Sequence, residues 1–348
     1  MKKVMIFPYD KRSEFILKNE CLLKDDIKIE KICFPKGWKI YNKDLVHDYK
    51  VSCNYIDDIK DCDLLWIVNS DKNLDFEKNI LPLIKEAAVQ KKEIVCTRKI
   101  SEYEKLLIKD FEIKFSLYDD FKNNNDSEIF DIDKPIIFIV GQYDKMDKMS
   151  IEFEIRKSFL EKGYRVSQVM SRLEANLFGI KSFDNLFEKN ISNKEKILSI
   201  NHCIKELEIR ENSDVIIVGI PGGAMSFSRK VVEDFGEEIT LITKSISSDC
   251  TIMSFPYYAD ISEYKACFEY MFEKYNLYID YFNICNKMID SSESETKNKL
   301  KYLTINKKKV EELTKNKNFF YIDNKNSINL IVDNVIKQLK HYGKIKMM

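Results

Sequence analysis

Two glycine-marked strand ends carry most of the chemistry this sequence could perform. The first is Gly141-Gln142-Tyr143-Asp144-Lys145-Met146-Asp147-Lys148-Met149-Ser150, directly after an apolar run at 136–140. A strand ending in glycine, a loop of this length and then a helix is the layout of a phosphate-binding loop. Backbone N–H groups and the helix N-terminus hold an anion there. The standard spacing is incomplete. Counted from Gly141, the second glycine falls on Met146, and the lysine and hydroxyl positions fall on Asp147 and Lys148. Asp144 and Asp147 repel a polyphosphate, and Lys145 and Lys148 offset them. Two readings stay open: a site for a nucleotide or other phosphate-bearing anion, or a plain strand–helix turn.

The second strand end is Gly219-Ile220-Pro221-Gly222-Gly223, after the apolar run 215–218. Three of the chain's nine glycines fall in these five residues. Glycine permits positive φ and close backbone approach, so Gly222 and Gly223 could present N–H groups as an anion nest. A tight turn closing a buried strand is the alternative. Between the two loops, Ser171 and Arg172 end a strand expected at 164–170, and arginine can grip phosphate or carboxylate as a fork. Solvated loop residues are the plainer reading. Near the start, Tyr9 and Asp10 follow one strand, while Lys36, Gly37 and Trp38 follow another; together they form a second candidate site. The histidines, at 47, 202 and 341, lie near no nucleophile signature, so a catalytic triad has no support.

The elements that must position these residues alternate strand and helix. Strands are expected at 3–7, 27–34, 63–68 and 93–97, with helices at 13–23 and 82–91. An Asn/Asp-rich break at 121–134 closes at Pro135. Further strands are expected at 135–140, 164–170, 215–220, 239–243, 251–255, 277–284 and 302–305. The matching helices are 150–162, 194–210, 261–275 and 327–341, the first closed by Gly163. Short connections in this order give parallel sheets covered by helices. The expected fold is α/β, with two three-layer domains: a Rossmann-like domain at 1–125, a linker at 126–134 and a larger domain at 135–348.

Composition sets limits. The 348 residues carry 57 Lys+Arg and 57 Asp+Glu, a balance unlike that of a general nucleic-acid binder. No apolar run approaches the roughly 18 residues that span a membrane, and the start has no secretory signal, so a cytoplasmic setting without membrane attachment is expected. Nine cysteines without CxxC spacing read as buried free thiols, and no metal site is expected.

MIFPYD, FPKGW, IVGQYDKMDKMSIEFEIRKSFLEKGYRVSQVMSR, LFGIKSF and SDVIIVGIPGGAMSF resemble the peptide maturation system proteins of low-G+C bacteria. The resemblance runs over nearly the whole chain and is most specific from Gly141 to Phe227. It implies an accessory role beside a short ribosomally made precursor peptide and a modifying enzyme of radical-SAM type. In that pattern Lys148 is the loop residue that matches. A looser likeness is to the dethiobiotin-synthetase-like branch of P-loop NTPases, which implies a degenerate P-loop-NTPase-like second domain. Gly219 or Ile220 stands where that branch needs a metal-binding acid, so a binding-only relative is expected over an ATPase. A nucleotide-dependent ligase or transferase acting on the peptide is the alternative.

Overall fold

The computed structural model describes residues 1–24, 26–39, 42–115, 127–187, 189–233, 235–314 and 318–340. These fall into two units. The first holds residues 1–115 together with Leu173–Lys181, and the second holds the rest. Residue 125, the expected end of the first domain, and residue 126, the expected start of the linker, lie outside the described residues.

In the first unit, β1 (Lys2–Phe7), β2 (Ile27–Cys33), β3 (Lys50–Ser52), β4 (Leu64–Ile67) and β5 (Glu93–Cys96) form one parallel sheet. Its order is β3-β2-β1-β4-β5, the first five positions of the Rossmann order. All four residues of β4 are buried, which explains its unbroken apolar run: a parallel sheet is covered on both faces. Trp66, fully buried in β4, donates its indole N–H to Thr97 Oγ1 at 2.9 Å. The expected helix at 13–23 is shorter than its pattern suggests. It is a helix only over Glu14–Lys18, flanked by single 3-10 turns, and Asn19 interrupts it by donating its side-chain amide to Phe15 O.

Leu173–Lys181 is tied into this unit. Leu177 O accepts from Lys24 N at 3.3 Å, Glu174 Oε1 accepts from Asn69 Nδ2 at 3.3 Å, and Phe178 packs on Phe15.

The second unit is built on β6 (Ile136–Gly141), β7 (Val166–Met170), β8 (Lys181–Ser182), β9 (Val215–Gly219), β10 (Cys250–Phe255) and β11 (Tyr281–Ile284). The pair β12 (Lys287–Ile289) and β13 (Tyr302–Thr304) is antiparallel, and β14 (Phe319–Phe320) edges the main sheet. The main order is β14-β11-β10-β6-β9-β7-β8, parallel in each described pairing. β6, β9 and β10 are buried along their full length, and the helix Lys148–Glu161 packs across β6, β7 and β9. Gly163 follows that helix at φ 83°.

The expected strand at 239–243 is instead part of a helix, Glu237–Ser245. Its β-branched residues suggested a strand, but Ile239, Ile242 and Ser245 share the buried face at helical spacing, and two acids open its first turn. The segment before β6 is pinned to the helix Asn193–Glu211. Phe130 N–H donates to Asn201 Oδ1, and the Asp133 and Lys134 N–H groups donate to Glu208 Oε1. His202 contacts the Glu128 carbonyl from the same helix. Among the described residues no helix is long and apolar enough to cross a membrane.

Candidate functional site

At the carboxyl edge of the second sheet, the loops after β6, β7 and β9 meet over the start of the helix Lys148–Glu161. The loop after β6 folds back tightly. A Cβ at Gly141 would sit 2.8 Å from Tyr143 O. Lys145 and Asp147 both adopt left-handed backbone, at φ 64° and 54°. Asp147 directly precedes the lysine, where a phosphate loop normally has glycine, and aspartate is among the few side chains that tolerate this region. The loop is thus one residue longer than the standard count, and this brings Lys148 into register.

Lys148 is buried and donates its ammonium to Ile220 O at 2.7 Å and to Gly222 O. It therefore joins the first glycine-marked strand end to the second. The turn at Pro221, Gly222 and Gly223 is laced onto the loop by Ala224 N–H to Gly141 O and Met225 N–H to Gln142 O, each 3.0 Å. A Cβ on Gly223 would lie 2.8 Å from Tyr143 Cα. The glycine that suggested an anion nest serves here for backbone-to-backbone packing.

Gln142 faces inward. It accepts from Tyr258 Oη at 2.8 Å and approaches the Cys267 thiol. Tyr143 and Met146 join Val231, Cys285 and Leu300 in a small apolar cluster over the loop. Burial pushes the Tyr143 hydroxyl up to about 12. Lys287 from β12 donates to Lys145 O and Asp147 Oδ1, and Tyr302 from β13 donates to Asp144 O at 2.8 Å. Glu233 accepts from the Asp144 N–H at 3.1 Å, so a carboxylate already holds one loop amide.

Sequence reasoning missed Glu152. It is fully buried one turn after Lys148, with Oε2 accepting the Ser171 N–H at 3.1 Å and Oε1 without a hydrogen-bond partner. Its carboxyl lies against Gly219, where a Cβ would come within 2.4 Å. Burial raises its proton affinity above the ordinary carboxylate range, and Ser171, Lys148 and Arg172 oppose that shift. The signal was present: positions 148, 152, 155 and 159 form one buried helical stripe, and a glutamate on it is anomalous. Arg172 is half-buried at the end of β7 and acts electrostatically on both Glu152 and Lys287. Among the described residues its guanidinium has no hydrogen bond or ion pair.

Met149 stands where a hydroxyl would follow the lysine, and Ile220, 1% exposed, ends the strand where a metal-binding acid is required. Among the described residues no cluster of His, Cys, Asp and Glu is placed to hold a metal ion. The nine cysteines are free, all buried except Cys21 and Cys53, and burial pushes the Cys96 and Cys267 thiols up to about 12.

The second candidate set belongs to the first unit. Asp10 is buried and organises the loop after β4, accepting from Ser70 Oγ at 2.6 Å and Asp71 N at 2.9 Å. Tyr9 is also buried, its N–H on Cys33 O. Lys36 and Gly37 are exposed in a turn closed by Trp38 N–H to Pro35 O, with Gly37 at φ 87°. Trp38 is half-buried beneath the Lys72 ammonium.

No family model and no curated protein matches the chain. Among solved structures it is similar to a DUF1611 family protein from Anabaena variabilis, with TM-score 0.64 at 8% identity, covering 97% of this chain and 100% of that one. It is similar at a TM-score of 0.31 to the signal recognition particle receptor FtsY from Elizabethkingia anophelis, with 11% identity over 43% of this chain and 50% of that one. The Signal Recognition Particle 54 kDa protein from Aeropyrum pernix, solved in complex with GDP, also scores 0.31, at 12% identity over 88% of this chain and 68% of that one. The fold is two parallel-sheet α/β domains, the first in the strand order of a Rossmann sheet.

Proposed function

We propose that the protein binds a small oxyanion, a nucleotide or another phosphate-bearing molecule, at the carboxyl edge of the second sheet without hydrolysing it. We further propose that it acts as an accessory protein in maturation of a ribosomally synthesised peptide. Arg172 carries the binding reading: among the described residues its fork is unengaged, and the loop after β6 already holds one carboxylate on a backbone amide. The peptide role rests on the resemblance over 141–227, with a precursor peptide and a radical-SAM-type enzyme as partners and the cytoplasm as setting. Lys148 at the helix start favours a second reading, a nucleotide-dependent ligase or transferase. Against it stand Met149 and Ile220, which leave no magnesium ligand at the two positions such chemistry uses.

Calorimetric titration with ATP and GTP, with and without Mg²⁺, tests the binding. The expected result is magnesium-independent binding, weakened about 10- to 100-fold in Arg172→Ala by loss of charge-assisted hydrogen bonds, with no phosphate release. Magnesium-dependent turnover would establish the second reading, and silence at about millimolar nucleotide would remove both. Co-purification with the neighbouring precursor peptide tests the accessory role, and absence of binding to precursor and modifying enzyme alike would remove it.

A further inference from the structure

The first unit has a built cavity of its own. In the order β3-β2-β1-β4-β5 the chain leaves β1 to one side and returns on the other at β4, so the loops after these strands part and leave a crevice at their carboxyl ends. Beside that point, at the carboxyl ends of β4 and β5, lies a cavity of about 640 Å³, within the range of small-molecule sites. Pro8 after β1, Asn69, Ser70 and Lys72 after β4, and Arg98 and Lys99 after β5 line it.

Its walls are fixed before any ligand arrives. Asp10 holds the Ser70 hydroxyl and the Asp71 N–H with one oxygen and the Arg12 N–H, at 2.8 Å, with the other. Asn69 Oδ1 accepts from Lys99 N at 3.1 Å, and its Nδ2 donates to Thr97 O at 3.0 Å, so the β4 and β5 loops are bonded to each other. Arg98 is steadied from behind by Glu104 at 3.0 Å and by the Phe76 ring. Lys72 lies 4.6 Å from the centre of the Trp38 ring. Three cations and one acid, Asp75, face the cavity.

We infer that this crevice is a second binding site, for a small dianion such as a phosphate monoester or a dicarboxylate, distinct from the edge of the second sheet. Lys72, Arg98 and Lys99 neutralise the dianion, and Lys72 couples the site to the Trp38 ring on which its ammonium lies.

Tryptophan emission reports on the first unit, because both of the chain's tryptophans, Trp38 and Trp66, belong to it. The full chain is titrated with AMP in one arm and succinate in the other, to about 10 mM. A saturable emission change with either ligand is expected, and the arm that responds names the class. The doubly substituted Lys72→Gln, Lys99→Gln protein should bind at least about tenfold more weakly while keeping the wild-type melting profile. Arg172→Ala should titrate like wild type, which separates this site from the one proposed above. No emission change in either arm overturns the inference. So does a titration unaltered in the Lys72/Lys99 double variant, or one abolished by Arg172→Ala alone.

Discussion

Gly219→Ala is the sharpest test of how the second unit is packed. The new methyl would lie 2.4 Å from Cδ and Oε1 of Glu152 and 2.6 Å from Oε2, about an ångström inside ordinary contact. Glu152 cannot retreat freely, because it is fully buried and holds the Ser171 N–H. Overpacking of a tight core costs about 1–3 kcal/mol, and giving up that hydrogen bond adds about 1 kcal/mol. A loss of about 2–4 kcal/mol lowers the melting temperature by roughly 5–15 °C in a domain of this size. Shortening Glu152 to alanine removes the obstacle. In that background Gly219→Ala should cost less than about 0.5 kcal/mol, leaving a coupling of about 1.5–4 kcal/mol. Urea and thermal unfolding of the four proteins, followed by far-ultraviolet circular dichroism, measures the cycle. Additive costs, or a Gly219→Ala protein as stable as wild type, would refute the placement of Glu152 beneath the end of β9.

The same carboxyl predicts a pH dependence. Its proton affinity is raised in the folded state, so the folded chain holds a proton that the unfolded chain has already lost, and stability falls as pH rises above the ordinary carboxylate range. Glu152→Gln lacks that slope, so its melting temperature should gain on wild type as pH rises above the ordinary carboxylate range; parallel curves would contradict the shift. Glu233→Ala frees the Asp144 amide for a ligand oxygen and should tighten phosphate binding about 3- to 10-fold by calorimetry. Thr97→Val leaves the buried Trp66 indole N–H unpaired and should cost about 1–3 kcal/mol in urea unfolding followed by tryptophan emission.

Buried parallel strands were plain in the sequence because both faces are covered and every residue of 136–140 and 215–218 is apolar. The edge strand β3 carried no such signal, since Lys50 and Val51 are exposed and Ser52 is half-buried. At Ile239–Thr243, β-branched residues outweighed a helical burial pattern that only tertiary packing completes. Within the site, Gly141, Lys148 and the glycines after β9 were legible as a pair of strand ends. That Lys148 joins them was not, because it depends on a register set by the left-handed backbone of Asp147. Glu152 was marked by its place on the 148/152/155/159 stripe, but its partners were not: Ser171 follows β7 and Gly219 ends β9, and no local spacing announces them.

The membership of Leu173–Lys181 in the first unit has a consequence for how the protein is made. When residue 115 leaves the ribosome, the carbonyl that Lys24 N–H needs and the carboxylate that Asn69 needs have not been synthesised. They follow roughly 60 residues later, a delay of about 3–12 s at ordinary elongation rates. During that interval the second unit's first strand, the loop after it and the helix Lys148–Glu161 are already emerging. Synthesis of the two units therefore overlaps: the part of the chain that appears first is finished only after the other has begun.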